Sequence, residues 1–306
     1  MAASDNKSDT RTRDRLIRAA SYASLTVALS LVFAKLWAWQ ATGAISILSS
    51  LADSILDVLA SAITFVAVRY ALTPADREHR FGHGKTEGLA ALAQSFIIAG
   101  SALYVCYEAV GRLLAPEPVL QPITGLTVIL GSTLLTVALL SFQRLVVRRT
   151  GSVAIEADAL HYKTDVIVNL SVAIAIPIAS WTNWTIIDPL VGIGVAVYLM
   201  WSTYGIATKS MDILLDREIP EAERLRIRKI ALANPAVMGF HDLRTRSGGS
   251  RYIIQFHLEL DPQTTLVDTH VILDAVEEDI RREFSGCELI VHADPVGFPE
   301  QRDRFE

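Results

Sequence analysis

The pattern of apolar and polar positions divides this chain in two. Six apolar runs follow one another at about residues 19–40, 45–70, 89–113, 123–147, 154–180 and 186–208. Each reaches the roughly 20 residues that a helix needs to cross a hydrocarbon core about 30 Å thick. From about Met211 the pattern becomes that of a soluble domain. A helical stretch over 221–233 is broken by Asn234-Pro235. Two strands are expected at 237–246 and 251–260, around the turn Ser247-Gly248-Gly249-Ser250. Val267, Val271, Ala275, Val276 and Ile280 recur at helical spacing between Thr265 and Phe284, and a last strand over 287–293 ends at Asp294-Pro295. The expected fold is a membrane α-helical protein: a six-span bundle over 19–210, then a small α+β domain of order αββαβ over 211–306, metallochaperone-like in its open-faced sandwich. Residues 1–18 are polar and read as a disordered or frayed cytoplasmic arm.

Loop charges orient the bundle. The loops at 40–44, 114–122 and 181–185 hold no Lys or Arg, whereas the other two carry Arg77, Arg80, Lys85 and Arg148, Arg149. The positive-inside rule then places both termini in the cytoplasm. Trp37, Trp39, Trp181 and Trp184 gather at the outer boundary, as an aromatic belt does.

Charge inside the apolar runs changes the picture more than any average does. Asp53 and Asp57 lie four residues apart in the second run, so both address one helix face. His161 and Asp165 form a second such pair in the fifth. Counted from their respective ends, the pairs lie roughly 12–18 Å and 10–17 Å deep, so both fall near the midplane and can meet. A charge there costs roughly 2.5–3.5 kcal/mol even on lenient scales, and a bound cation recovers that cost. The bland alternative is a buried polar network that fixes helix packing. Lys35 is one cation against three carboxylates, and it either pairs with one of them or snorkels outward. Three carboxylates and an imidazole suit zinc; cadmium, ferrous iron and manganese take the same donors, and the absence of thiolate disfavours cuprous copper. The small residues of the third run, from Gly88 to Ala102, suit close packing within the bundle better than a seam between two copies.

The chain is 51% hydrophobic with a net charge of −5 and no basic stripe, which argues against a nucleic-acid partner. Cys106 and Cys287 stand alone, so neither a disulfide framework nor a thiolate metal site follows. The other histidines fall in two places. Asp76, His79 and His83 share the loop after the second run, either as a three-ligand site or as a solvated polar loop. His241, His257, His270 and His292 lie in the tail. His292 and Asp294, two apart on a strand, share a face, and His257 alternates with Phe256 and Leu258 and so leaves the apolar face.

Ser46-Ile-Leu-Ser-Ser-Leu-Ala-Asp53-Ser-Ile-Leu-Asp57, Pro74-Ala-Asp76, Phe81-Gly-His83-Gly-Lys85, Ser141-Phe-Gln-Arg144, Ala157-Asp-Ala-Leu160-His161-Tyr, Asp165, His241-Asp-Leu-Arg-Thr-Arg246 and His292-Ala-Asp294-Pro295 occur in order. With these motifs, from about Ala23 to Pro295, the chain resembles the cation diffusion facilitators, and among them the bacterial zinc-transporting members. The resemblance implies a homodimer in the bacterial inner membrane that exports a divalent metal in exchange for protons. It implies a transport site at Asp53, Asp57, His161 and Asp165, and a loop site at Asp76, His79 and His83. In the tail it implies a two-metal site at His241, His257, His270, His292 and Asp294, the aspartate bridging. Zinc ions then serve as cargo and as structural or regulatory ligands, with no prosthetic group. Lys85 and Asp216 match a pair that links bundle and tail across the dimer, and Leu160 matches an apolar gate. The departure is Ala293, where relatives carry a longer polar residue. Two other classes compete: a metal-dependent membrane enzyme, which needs an open coordination position, and a membrane-anchored metal sensor.

Overall fold

The computed structural model describes residues 2–42, 45–114, 123–182, 186–249 and 251–298. Most of the loops expected on the outer side, with Trp184 and the turn residue Ser250, lie outside them.

Six long helices come first: α1 (Ala2–Thr42), α2 (Ile45–Ala71), α3 (Thr86–Leu114), α4 (Ile123–Thr150), α5 (Val153–Thr182) and α6 (Ile187–Leu214). Four described stretches, Arg11–Ala41, Asp53–Ala71, Thr86–Leu114 and Pro189–Leu214, are apolar enough to cross a membrane by length and composition alone. In α5 the apolar run is interrupted by Glu156, Asp158, His161, Lys163 and Asp165. The polar arm is not disordered. Residues 2–18 continue α1 without a break, because no Gly or Pro interrupts them and Arg13 anchors them by donating to Thr150 O at 2.6 and 2.9 Å.

Helices α1, α2, α5 and α4 close a four-membered ring, and α3 and α6 pack together along one side of it. Small residues permit that pairing, since a Cβ at Gly88 would lie 3.3 Å from Ile213 and one at Gly192 3.2 Å from Ala109. Ile17, Ala67, Val68, Val146 and Ile155 form an apolar plug at the tail-side end. Large side chains such as Phe33, Phe96 and Val197 point away from the bundle, as a lipid-facing surface allows.

The tail holds α7 (Glu221–Ala231), β1 (Gly239–Ser247), β2 (Tyr252–Leu260), α8 (Leu266–Glu283) and β3 (Glu288–Pro295). Strand β2 is central, antiparallel to β1 and parallel to β3. The Thr265 hydroxyl caps α8 by accepting from Asp268 N at 3.2 Å. One sheet face (Ile254, Phe256, Leu258) is buried against Ile227 of α7 and Val276 and Ile280 of α8. The opposite face is left for polar side chains.

Two kinds of contact, between side chains and between backbones, join bundle and tail among the described residues. Lys85 Nζ lies 3.0 Å from Asp216 Oδ2, which also lies 3.2 Å from Arg246. The Lys85–Asp216 pair closes within one chain, because α3 begins beside the end of α6. The second contact is between backbones: Gly84 abuts Gly248 and Gly249 of the β1–β2 turn so closely that a Cβ on Gly84 would collide with Gly248 O. Phe81 in the same loop lies under the Arg246 guanidinium, 4.7 Å from ring centroid to Cζ.

Candidate metal centres

Among the described residues, three groups of metal-ligating side chains come together, each with donor atoms within 4.8 Å of one another. In the bundle, Asp57, His161 and Asp165 converge, with His161 Nε2 3.0 Å from Asp57 Oδ1. The i, i+4 spacing on α5 and the contact of α2 with α5 produce this meeting. Asp53 is not part of the group. It stands exposed one turn away on α2, so three of the four expected donors are assembled here. Among the described residues Lys35 pairs directly with no acid, and it does not snorkel. Buried between α1 and α2, it donates to Ser54 Oγ at 2.7 Å and to Ser50 O at 3.0 Å. Leu160 is buried beside His161 among Ala91, Ile98 and Ile206.

Sequence reasoning missed a polar layer beneath this site. Asp158 is fully buried, accepting from Gln143 Nε2 at 2.7 Å and from Gln94 Nε2 at 3.4 Å. Gln94 Nε2 also donates to Ala60 O and Thr64 Oγ1, each at 2.9 Å. Tyr162 OH lies 2.7 Å from Ser61 Oγ, which is 3.0 Å from Ser24 Oγ. The available signal was the stripe Asp158, His161, Asp165 at i, i+3 and i+7, one face of one helix.

In the loop, Asp76, His79 and His83 also meet. Asp76 Oδ1 accepts from the backbone N–H groups of His79 at 2.6 Å and Glu78 at 2.9 Å. The His79 N–H above all holds the Asp76 carboxyl below its usual value of 3.8, so it is ionised at neutral pH. His83 is buried; its Nδ1 lies 3.1 Å from Thr73 Oγ1, while its Nε2 makes no hydrogen bond and stands 3.3 Å from Asp76 Oδ2. A buried imidazole nitrogen without a donor or acceptor, beside a carboxylate, fits a metal ligand.

In the tail the sheet register builds the site. His241 pairs with His257 and His257 with His292, which lines three histidines across three strands. Asp294 serves all three: Oδ2 lies 2.9 Å from His257 Nδ1 and 3.1 Å from His241 Nε2, and Oδ1 lies 3.1 Å from His292 Nε2. His241, His257 and Asp294 bring their ligand atoms together, while His292 faces the other carboxylate oxygen and stays outside that group. The bulge between His241 and Arg244 holds Asp242 at φ +46° and brings its Oδ2 to 3.8 Å from His257 Nε2. Glu259 Oε1 lies 3.3 Å from His241 Nδ1. Both acids escaped the sequence reading, because a bulge and a cross-strand neighbour do not show in linear spacing. His270 stays apart, exposed on α8 and 3.5 Å from Asp274. Ala293 packs against the apolar core, so a longer side chain there would face away from the histidine row.

Residues 21–215 match the cation efflux transmembrane domain and 219–296 the cytoplasmic domain of cation efflux proteins. The chain belongs to the cation diffusion facilitator family. It is 42% identical to the cation-efflux pump FieF of Salmonella arizonae over 297 residues, 97% of this chain and 99% of the relative. The FieF of Citrobacter koseri shows the same identity and coverage. A structure of the putative zinc transporter CzrB in its zinc form is 28% identical, with a TM-score of 0.27, over 28% of this facilitator and 99% of that chain. Cation diffusion facilitators are transporters and not enzymes, which removes the metal-dependent enzyme reading, and this chain is a cation-efflux transporter of that family.

Proposed function

We propose that this facilitator exports a divalent transition metal from the cytoplasm in exchange for protons, with zinc as first cargo and cadmium, ferrous iron or manganese as the others its donors accept. The observation that carries the reading is the meeting of Asp57, His161 and Asp165 inside an apolar bundle. Imidazole nitrogen and carboxylate oxygen are donors that tetrahedral zinc accepts, and Asp53, one turn along α2 from Asp57, would become the fourth if α2 turned it toward His161. A membrane anchor for a sensor has no use for such a group.

The coupling follows from charge. Three ionised acids at one point near the midplane repel one another, so a metal-free site keeps protons among its donors. Binding needs neutral imidazole and ionised carboxylates, so loading releases those protons. A site that opens alternately to each side, carrying metal one way and protons the other, is an antiporter. The assembly in this reading is a homodimer in the bacterial inner membrane, with six spans per chain and both termini cytoplasmic. The loop trio and the tail row would hold further zinc ions, and bound zinc would supply cross-links that order the loop and the domain.

Calorimetry of zinc binding in buffers of different ionisation enthalpy tests the coupling. The expected outcome is an enthalpy that varies with the buffer, and less so in His161→Ala. A buffer-independent enthalpy would mean that no proton leaves, and the antiport mechanism would fail.

A further inference from the structure

A second polar feature of the bundle is lined by none of the metal donors. Between α4, α5 and α6 there is a cavity of about 520 Å³ whose lining includes Arg144, Arg148 and Lys163. Arg144 and Arg148 are four residues apart on α4 and face it together. Measured along their helices from the Thr150–Val153 turn, Arg148, Arg144 and Lys163 lie roughly 3, 9 and 15 Å into the bundle. That turn is the tail side, since Thr150 and Gly151 share a second cavity with Ser247 and Gly249 of the tail.

The charge of the lining is uncompensated. Among the described residues, neither Arg144 nor Arg148 forms an ion pair with a carboxylate. Lys163 donates to the neutral hydroxyl of Tyr198 and stands 4.9 Å from its ring centroid. The one acid in the lining, Glu156, is taken by Lys209 at 2.6 Å. Three cations without counter-charge repel a divalent metal, so the cavity is not its access route. They call for an anion.

The setting identifies the source of that anion. Trp201 and Tyr204 line the cavity and are exposed on the apolar helix α6, the kind of surface that meets lipid in a membrane bundle, and Leu140 and Val147 supply an apolar wall. Basic pockets between membrane helices on the cytoplasmic side suit anionic lipid headgroups, and aromatic side chains sit at the headgroup level. We propose that this cavity binds an anionic phospholipid, with the phosphodiester at Arg144 and Arg148 and the acyl chains against Trp201 and the apolar wall. Lys163 then receives the headgroup's deepest oxygen through its link to Tyr198. The site depends on the family's membrane setting but not on which metal is carried or on proton coupling.

The test reads the lipid at Trp201. The protein is reconstituted in vesicles of phosphatidylcholine with brominated phosphatidylglycerol, or with brominated phosphatidylcholine, and Trp201 quenching is isolated by subtracting Trp201→Phe. The expected result is about a thirtyfold preference for phosphatidylglycerol, the scale set by two guanidinium groups near the headgroup. The preference should fall to about twofold or less in Arg144→Gln/Arg148→Gln. It should survive in Arg149→Gln, whose neighbouring charge lies outside the cavity. If the double variant does not fold by circular dichroism, the rim variant Arg148→Gln serves, with an intermediate loss. Equal quenching by the two lipids in the wild type would overturn the proposal, as would a preference unchanged in the arginine variants. Abolition of the preference by millimolar glycerol phosphate would also overturn it, by showing that a soluble phosphate is the occupant.

Discussion

Asp57→Ala is the perturbation most sharply tied to the structure. Asp57 Oδ1 stands 3.0 Å from His161 Nε2, so the change removes a donor and the carboxylate beside the imidazole at once. Changing a residue that merely orients a metal ligand costs 10–100-fold in affinity, so loss of a ligand should cost at least about 100-fold. At about 1.4 kcal/mol per tenfold, that is roughly 2.8 kcal/mol. The fold should survive, because Ala is the best helix former and an unpaired buried His161 costs about 1–3 kcal/mol. Zinc affinity can be read by competition with a fluorescent chelator, and flux by a dye inside liposomes. Asp76→Ala is the control, since it removes a loop donor outside the bundle and should leave flux largely intact. The reasoning is refuted if folded Asp57→Ala binds and moves zinc as the wild type does.

Other outcomes follow from the same structure. Apparent zinc affinity should rise steeply between about pH 5.5 and 7.5, where imidazole and crowded acids compete with the metal for protons, and a flat titration would contradict this. A chelator should lower the melting temperature of the full-length protein by several degrees, and His257→Ala/Asp294→Ala should reduce that response by the tail's share while leaving bundle binding intact. Gly84→Ala should loosen the tail from the bundle, because overpacking against the Gly248 backbone costs about 1–3 kcal/mol; faster hydrogen exchange in the β1–β2 turn would show it. Lys85→Ala should cost only about 0–1 kcal/mol, since its pair with Asp216 is partly exposed, and thermal unfolding would measure that.

The chain's periodicities carried the architecture because the two halves obey different rules. Apolar runs long enough to cross a bilayer announce α2, α3 and α6 directly, and the alternation around Phe256 and Leu258 announces β2. What escaped was set by packing rather than by order along the chain. The polar arm continues as α1 because Arg13 reaches Thr150, a partner on another helix. Asp158 sits within a recognised motif, yet its partners Gln94 and Gln143 come from α3 and α4. The tail histidines were visible one by one, but their alignment needs a register that places His241, His257 and His292 in one row. Asp53 marks the converse limit: spacing puts it on one face with Asp57, but the rotation of α2 decides whether it reaches His161.

Zinc uptake into proteoliposomes under an imposed pH gradient tests metal–proton antiport at the bundle site most directly. With the lumen acidic, the account predicts zinc accumulation coupled to proton exit, collapsed by a protonophore and absent in Asp57→Ala. Accumulation that ignores the gradient, or that persists in the variant, would contradict it.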